Sequence, residues 1–232
     1  VLEGIKAAGL TLETGDCLCL AQKIVSKAED RQVRLADVTA GDEAKALAAE
    51  TDKDPRLVEL ILSESTEMLR KKPGVLIMRH RLGLVGAHAG IDQSNIDHGD
   101  EEAALLLPED PDASAAAVRS AIADALGVNI GVIITDSANR PWRMGTIGIA
   151  IGAAGLTVLD DHRGGTDSFG RELKVTLINR ADAIASAATM VMGETTERIP
   201  AAIVRGLPLT VGDNGEQAAS IINRPLDEDL FR

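Results

Sequence analysis

The sequence predicts an α+β fold, in which mixed or antiparallel sheets pack against helices. Short apolar runs suited to strands occur together with capped helical stretches, but the two do not alternate strictly, as they would in a doubly wound α/β protein. With 232 residues and a hydrophobic fraction of 45%, the chain can bury a sizeable core without disulfides or metals. This length suits one large domain or two small, interlocked ones.

The first half of the chain begins with the end of a helix, for which Gly9 is a suitable C-cap. The continuous apolar run Cys17–Val25 predicts a buried strand. Asp54-Pro55 marks the start of a helix, because Asp can cap it and Pro fits the first helical position. Two more strands are expected at Val75–Met78 and Leu82–Ala87.

The second half opens with a helix that runs from Asp112 or Ser114 to Leu126. A strand at Ile130–Thr135 follows and delivers Asp136 at its carboxyl end. The remaining predicted elements are strands at Thr146–Ile151 and Leu156–Leu159, a helix from Asn179 or Ala181 to Met192, and a strand at Ala201–Arg205.

Charge and composition exclude several classes of partner. There are 24 Lys and Arg against 36 Asp and Glu, a net charge of −12, which argues against binding to a nucleic-acid backbone. The long uncharged stretch Gly145–Leu159 is too short and too glycine-rich to span a membrane. Cys17 and Cys19 are expected to be reduced core residues, so we expect a cytoplasmic protein. Because Val1 is not an initiator Met, we expect an N-terminal segment to be missing.

Two polar segments in the first half could carry chemistry. Ser26 to Arg31 offers a lysine and an arginine for phosphate oxygens after the predicted strand, although a solvated turn explains the same residues. Asp92 and Asn95 offer oxygen ligands that suit Mg²⁺ or Mn²⁺, and an Asx-type turn is the alternative. The nearby His88 and His98 lack an HExxH-like spacing, so a histidine-ligated hydrolytic site has weaker support.

Polar residues of the second half form two further candidate segments. Asp136 and Ser137 come where a strand ends, as ligand-binding groups often do, although a surface loop plugged by Trp142 is the alternative. The Gly-rich, charged segment that starts at Asp160 could bind an anionic substrate or form a solvated, salt-bridged hairpin. Glu194 follows a predicted helix and is a possible metal ligand, or simply a solvated side chain.

Taken in order, these segments resemble one family, the coenzyme F420-0:γ-glutamyl ligases. The matching stretches are Gln22–Glu29, Lys53–Arg56, Ala89–Asn95, Arg140–Arg143, Gly170–Leu173, and the loop between Met192-Gly193 and Ile199-Pro200. The resemblance implies a GTP- and divalent-metal-dependent ligase that attaches L-glutamate to F420-0 and then adds γ-linked glutamates. It also implies an intertwined homodimer, two Mg²⁺ or Mn²⁺ ions per site, and a K⁺ requirement that stays open.

The resemblance assigns roles residue by residue. Asp92 and Asp136 would hold one metal ion, and Ser137, with Glu194, would help to hold a second. Asp136 and Lys27 would be catalytic, and the substrate would be bound by Arg140, Arg143, Arg163 and Arg171. The nucleotide would be contacted by Ser26, Lys27, Arg31, Asn95 and the loop of Met192, Gly193, Glu194, Thr195, Thr196, Glu197, Arg198 and Ile199.

Transfer of the γ-phosphoryl group suits this reaction, because a free carboxylate lacks a good leaving group and an acyl phosphate has one. Two other functions remain open. One is a metal-dependent hydrolase of a phosphorylated small molecule that uses Asp92, Asp136 and His88. The other is a nucleotide-binding module without catalysis.

Overall fold

A computed structural model of the chain describes residues 1–139, 142–207 and 217–229. Helices and strands are mixed without strict alternation, and the sheets are antiparallel or mixed, so the predicted α+β class is confirmed. The chain divides into two compact units. The first contains the described residues of Val1–Ala21, Asp110–Ser137 and Ile147–Arg232, and the second contains those of Gln22–Glu109 and Ala138–Thr146.

The helices are α1 Leu2–Ala7, α2 Gln22–Ala28, α3 Asp42–Thr51, α4 Pro55–Ser63, α5 Pro111–Leu126 and α6 Arg180–Met192. The strands are β1 Cys17–Ala21, β2 Gln32–Arg34, β3 Ser65–Lys72, β4 Val75–His80, β5 Val85–Ala87, β6 Ala103–Leu105, β7 Gly131–Asn139, β8 Thr146–Ala154, β9 Leu159–Asp161, β10 Leu177–Asn179 and β11 Ala201–Val204.

A four-stranded sheet in the order β11-β1-β7-β8 organises the first unit. Strand β1 pairs in parallel with β7 and antiparallel with β11, which makes the sheet mixed. Four of the five residues of β1 are buried, as expected of a strand covered on both faces. The small apolar face of α6 contributes to the same core, in which Ala181, Ala185 and Ala188 are almost fully buried.

The second unit contains an antiparallel sheet in the order β3-β4-β5 and a separate antiparallel pair, β2 and β6. Its core includes Leu47 of α3, Val58 and Ile61 of α4, and Leu76 and Met78 of β4. The two β4 residues are two apart and therefore share the buried face of that strand.

Two helix predictions are confirmed at their caps. Asp54 accepts a hydrogen bond from the backbone N–H of Arg56, and Pro55 is the first residue of α4. Asn179 caps α6, which ends at Met192 as predicted. Helix α5 ends at Leu126 as predicted but begins at Pro111, because Asp110 provides the cap.

The predicted strand Cys17–Val25 is wrong beyond Ala21, because helix α2 begins at Gln22. The buried residues of α2 are Gln22, Val25 and Ser26, which have the i, i+3, i+4 spacing of one helical face. The apolar run therefore belongs to two elements. Ser26 and Lys27 lie in a helix and not in a loop after a strand.

The predicted strand Ile130–Thr135 is too short, because β7 continues to Asn139. Beyond Thr135 its residues alternate between half-buried and exposed, so the outer part of the strand has no apolar signal. Asp136 and Ser137 therefore lie within a strand and not after its end. The predicted strand Leu156–Leu159 is also wrong, because β9 begins only at Leu159.

The predicted strand Leu82–Ala87 begins too early, because the residues before Val85 form the turn that follows β4. In this turn the N–H of His80 donates to the carbonyl of Leu84.

Both cysteines are buried and unpaired, as predicted. Among the described helices, none has the length and apolar character needed to cross a membrane. The single-domain organisation, the missing N-terminal segment and the cytoplasmic location stay predictions.

Candidate active site

Asp92, predicted to bind a metal, is held by both its backbone and its side chain. Its backbone N–H and C=O bond to those of Leu105, at 3.0 and 2.8 Å, which ties it to the end of β6. The side-chain nitrogen of Gln22 donates to Oδ2 of Asp92 at 2.8 Å, and the ammonium of Lys23 forms an ion pair with the same oxygen. The carboxylate is partly exposed, so it does not lie in an apolar interior.

Helix α2 also carries Ser26 and Lys27, two of the residues predicted to contact the nucleotide. Lys27 is exposed, and its ammonium donates to the backbone carbonyl of Asn95 at 3.2 Å. Asn95 has a left-handed backbone with φ of 56°, which Asn adopts more readily than most residues. Ser26, in contrast, is fully buried, and its hydroxyl donates to Oε1 of Gln22 at 2.8 Å.

Arg31 lies in a buried ionic cluster with Glu64. Nη2 of Arg31 lies 2.9 Å from both carboxylate oxygens of Glu64, and its Nε donates to the carbonyl of Leu107. His80 accepts the backbone N–H of Leu82 at Nδ1, so its hydrogen is on Nε2, which donates to Glu64. Burial alone would raise the pKa of Glu64, but the hydrogen bonds from His80 and Arg31 and the charges of Arg31 and Arg81 lower it to about 2.

In the first unit, the structure brings Ser137 and Glu194 together, and Asp136 is the neighbour of Ser137 in β7. The backbone N–H of Ser137 donates to Oδ1 of Asp136 at 2.8 Å, and the Ser137 hydroxyl donates to Oε2 of Glu194. This donor set contains only oxygen atoms, which Mg²⁺ and Mn²⁺ prefer, so it fits the predicted cation. Within the described part of the chain, no three His, Cys, Asp or Glu side chains form one group suited to a metal.

The predicted nucleotide loop is built around the carboxylate of Glu197, which accepts the backbone N–H of Thr195 at 2.9 Å. That bond, with further bonds from nearby backbone N–H groups, lowers the pKa of Glu197. Gly193 is required here, because its φ is +78° and a Cβ would lie 2.2 Å from the Glu197 side chain. Arg198 has a left-handed backbone, and Met192 is buried in the core. Thr196 and Ile199 are exposed.

The arginines predicted to bind substrate are not gathered at one point by any contact in the described residues. Arg163 forms an ion pair with Asp161. The hydrogen bond from Arg163 lowers the pKa of the Asp161 carboxyl to about 2, and burial has little effect on that carboxyl. The backbone N–H of Arg171 donates to Asp167, and Arg143 is exposed. Arg140 lies outside the described residues.

Three alternatives from the sequence bear on this geometry. Trp142 is 86% exposed, so it does not plug its loop. The ion pairs of Asp160 with Arg180 and of Asp161 with Arg163 are those expected of a salt-bridged hairpin. The third alternative, a histidine-ligated metal site, has little support because both ring nitrogens of His98 interact with backbone groups of its own segment.

The predicted metal ligands are divided between the two units. Asp92 belongs to the second unit, whereas Asp136, Ser137 and Glu194 belong to the first. Sequence reasoning missed Gln22 as the partner of Asp92 and Glu64 as the partner of Arg31. A signal for Gln22 existed, because Gln22 interrupts the apolar run Cys17–Val25 and lies four residues, about one helical turn, before Ser26.

Comparison with known proteins adds an independent finding. A family model described as F420-0:Gamma-glutamyl ligase matches residues 1–206. A protein of Methanopyrus kandleri named coenzyme F420:L-glutamate ligase is 45% identical over 227 residues, which are 97% of this chain and 89% of that protein. Proteins of the same name from Methanothermobacter thermautotrophicus and Methanocaldococcus jannaschii are 40% and 41% identical, over 100% and 95% of this chain and 90% and 86% of theirs. This chain belongs to the F420-0:γ-glutamyl ligase family.

Proposed function

We propose that this chain joins L-glutamate to coenzyme F420-0 through an amide bond, and that it uses GTP and a divalent cation. The observation that carries the proposal is the family match over residues 1–206, a range that includes every predicted metal ligand. The relatives named coenzyme F420:L-glutamate ligase support the choice of substrates. The oxygen donors of Asp92, Asp136, Ser137 and Glu194 support the choice of cation.

In the proposed reaction, a carboxylate oxygen of F420-0 attacks the γ-phosphorus of GTP, so that GDP leaves and an acyl phosphate forms. The amine of L-glutamate then attacks the acyl carbon, phosphate leaves and the amine loses a proton. Both steps need alignment of the reactants and neutralisation of negative charge more than covalent participation by the protein.

The residues of the chain would divide this work. Asp92, Asp136, Ser137 and Glu194 would hold the cations, which when bound neutralise charge on the triphosphate. Lys27 is exposed beside the Asp92–Asn95 loop, where its ammonium is available to a phosphate. The loop from Met192 to Ile199 would contact the nucleotide.

The direct test is to incubate the full-length protein with F420-0, L-glutamate, GTP and Mn²⁺. We expect GDP and a product heavier by one glutamyl residue, detected by mass spectrometry, and no product after EDTA treatment. Absence of the product refutes the proposal. GTP consumption that needs neither glutamate nor F420-0 would favour a hydrolase, and GTP-dependent thermal stabilisation without turnover would favour a binding module.

Asp136→Asn tests the assignment within the site. Loss of one carboxylate charge from a cation site should lower turnover by about 10³-fold or more, with an unchanged melting temperature. Asp37→Asn is the matched control, because Asp37 is exposed and forms an ion pair with Arg34 in its own segment. Near-wild-type turnover of Asp136→Asn would remove this residue from the site.

We also propose the homodimer that the family resemblance implies. Large apolar side chains on the surface of the first unit support it, among them Phe169, Val175, Met190 and Val191. Light scattering after gel filtration should give a mass twice that of one chain, whereas a monomer mass would refute the dimer.

A further inference from the structure

Gln22 is a buried polar side chain to which the proposed function gives no role. It is 1% exposed, at the start of α2, and both ends of its side-chain amide are used. Its nitrogen contacts Oδ2 of Asp92, 70 residues away, and its oxygen contacts the hydroxyl of Ser26, one helical turn further along. A buried amide that satisfies both of its functions with side chains joins those side chains rigidly.

The chemistry of the partners fixes the direction of these hydrogen bonds. An ionised carboxylate can only accept, so the amide nitrogen of Gln22 must face Asp92. The amide oxygen then faces Ser26, and the Ser26 hydroxyl must donate to it. The resulting chain runs from Ser26 through Gln22 to Asp92, at 2.8 Å for each hydrogen bond.

Gln22 differs from Lys23, the other partner of Asp92. The side chains of Lys23 and Asp92 are each 27% exposed, and a long lysine side chain at the surface can rearrange. Gln22 is fixed by burial and by Ser26, while the bridge to Leu105 fixes the Asp92 backbone. Both side-chain contacts are to Oδ2, so neither of them uses Oδ1.

We infer that Gln22 is a positioning residue: braced by Ser26, it holds the Asp92 carboxylate in the orientation in which Asp92 binds a divalent cation. The inference rests on the cation-binding part of the proposed function. It also gives Ser26 another role, because its buried hydroxyl acts on Gln22 and not directly on the nucleotide. Hydrogen-bonding partners of metal ligands typically change metal affinity by about 10–100-fold when they are replaced.

The test uses Gln22→Met, which keeps the approximate volume of the side chain and removes both hydrogen bonds. Binding of Mn²⁺ alone to the full-length protein is followed by electron paramagnetic resonance, from the loss of the free-ion signal. We expect the dissociation constant of Mn²⁺ to rise by about 10–100-fold in Gln22→Met, and by less in Ser26→Ala, which removes only the brace.

Thr51→Val is the matched control. Thr51 is also fully buried in the second unit, and its hydroxyl donates to the carbonyl of Leu47 at 2.7 Å. We expect this variant to lower the melting temperature and to keep wild-type Mn²⁺ affinity. A structural role of Gln22 would change the melting temperature in the same way, but it would leave the Mn²⁺ dissociation constant unchanged.

The outcomes separate the inference from the proposed function. Wild-type Mn²⁺ affinity in a folded Gln22→Met, or an equal loss in Thr51→Val, overturns the inference alone. Should Gln22→Met not fold, Ser26→Ala decides: weaker Mn²⁺ binding supports the inference and wild-type binding overturns it. A wild-type chain that binds Mn²⁺ but forms no product refutes the ligase function alone, and one that binds no Mn²⁺ refutes both.

Discussion

Replacing Glu64 by glutamine removes the negative charge from the centre of a buried ionic cluster. The Glu64 side chain is 12% exposed and contacts Arg31, His80 and Arg81. Its pKa of about 2 in the folded chain lies below the ordinary value of 4.5. A tenfold change in an ionisation constant corresponds to about 1.4 kcal/mol. This pKa difference therefore means that ionised Glu64 stabilises the folded chain by about 3 kcal/mol more than protonated Glu64 does.

The sign of the pH dependence follows from the direction of this change. A carboxyl group whose pKa is lowered by folding stabilises the folded chain at pH values above the unfolded pKa. That stabilisation is lost as the pH falls from 4.5 towards about 2. We therefore expect Glu64→Gln to unfold with a free energy lower by about 3 kcal/mol at pH 7, and by only about 1.5 kcal/mol at pH 3.

Urea denaturation at both pH values measures this difference. Glu50→Gln is the matched control, since Glu50 forms an exposed ion pair with Lys71 and should contribute less than about 1 kcal/mol. Exposed ion pairs contribute at most about 1 kcal/mol. A free energy of unfolding of Glu64→Gln within about 1 kcal/mol of the wild-type value at pH 7 would therefore refute the reasoning. So would a difference that does not shrink at pH 3.

Two glycines provide further predictions. Gly152→Ala in β8 should lower the free energy of unfolding by about 1–3 kcal/mol, because the new Cβ would lie 2.3 Å from the carbonyl oxygen of Pro111. Gly86→Ala in β5 meets no atom within 4 Å and should stay within about 0.5 kcal/mol in the same urea assay. Gly193→Ala should displace Glu197 and lower product formation by about tenfold to a hundredfold, measured by mass spectrometry.

Gly74→Ala is the control for Gly193→Ala. Gly74 has a similar φ of +80°, but a Cβ there meets no atom within 4 Å. Both variants place a side chain at a positive φ, but only the Gly193 variant adds a contact with Glu197, so only that variant should lose product formation. Equal losses in the two variants would mean that the contact with Glu197 does not matter, and equal stabilities of the Gly152 and Gly86 variants would contradict the steric argument.

Elements with local signals could be predicted from the sequence. Asp54 and Asn179 accept hydrogen bonds from backbone N–H groups in the first turn of their own helices, so the signal and the structure lie within a few residues. Strand β3 could not be predicted, because its residues are mostly exposed and polar and leave no apolar alternation. The start of α2 was misassigned because an apolar run does not by itself distinguish a strand from a short helix.

The site was predictable to the extent that a family resemblance supplies residue types in order. That resemblance named Asp92, Ser137 and Glu194 but not the groups that hold them. The contact between Gln22 and Asp92 joins residues 70 apart, and that between Arg31 and Glu64 joins residues 33 apart. Such pairings are set by tertiary packing, which periodicity and spacing do not report.

The two thiols of β1 give the first unit a built-in chemical reporter. Cys17 and Cys19 have no exposed surface, and their strand is hydrogen-bonded to a neighbour on either side. A side-chain hydrogen bond with Cys19, followed by burial, raises the pKa of the Cys17 thiol, so little Cys17 thiolate is available to attack an alkylating reagent. Iodoacetamide can therefore modify either sulfur only after β1 has separated from its sheet, and the rate of alkylation measures how often that separation occurs.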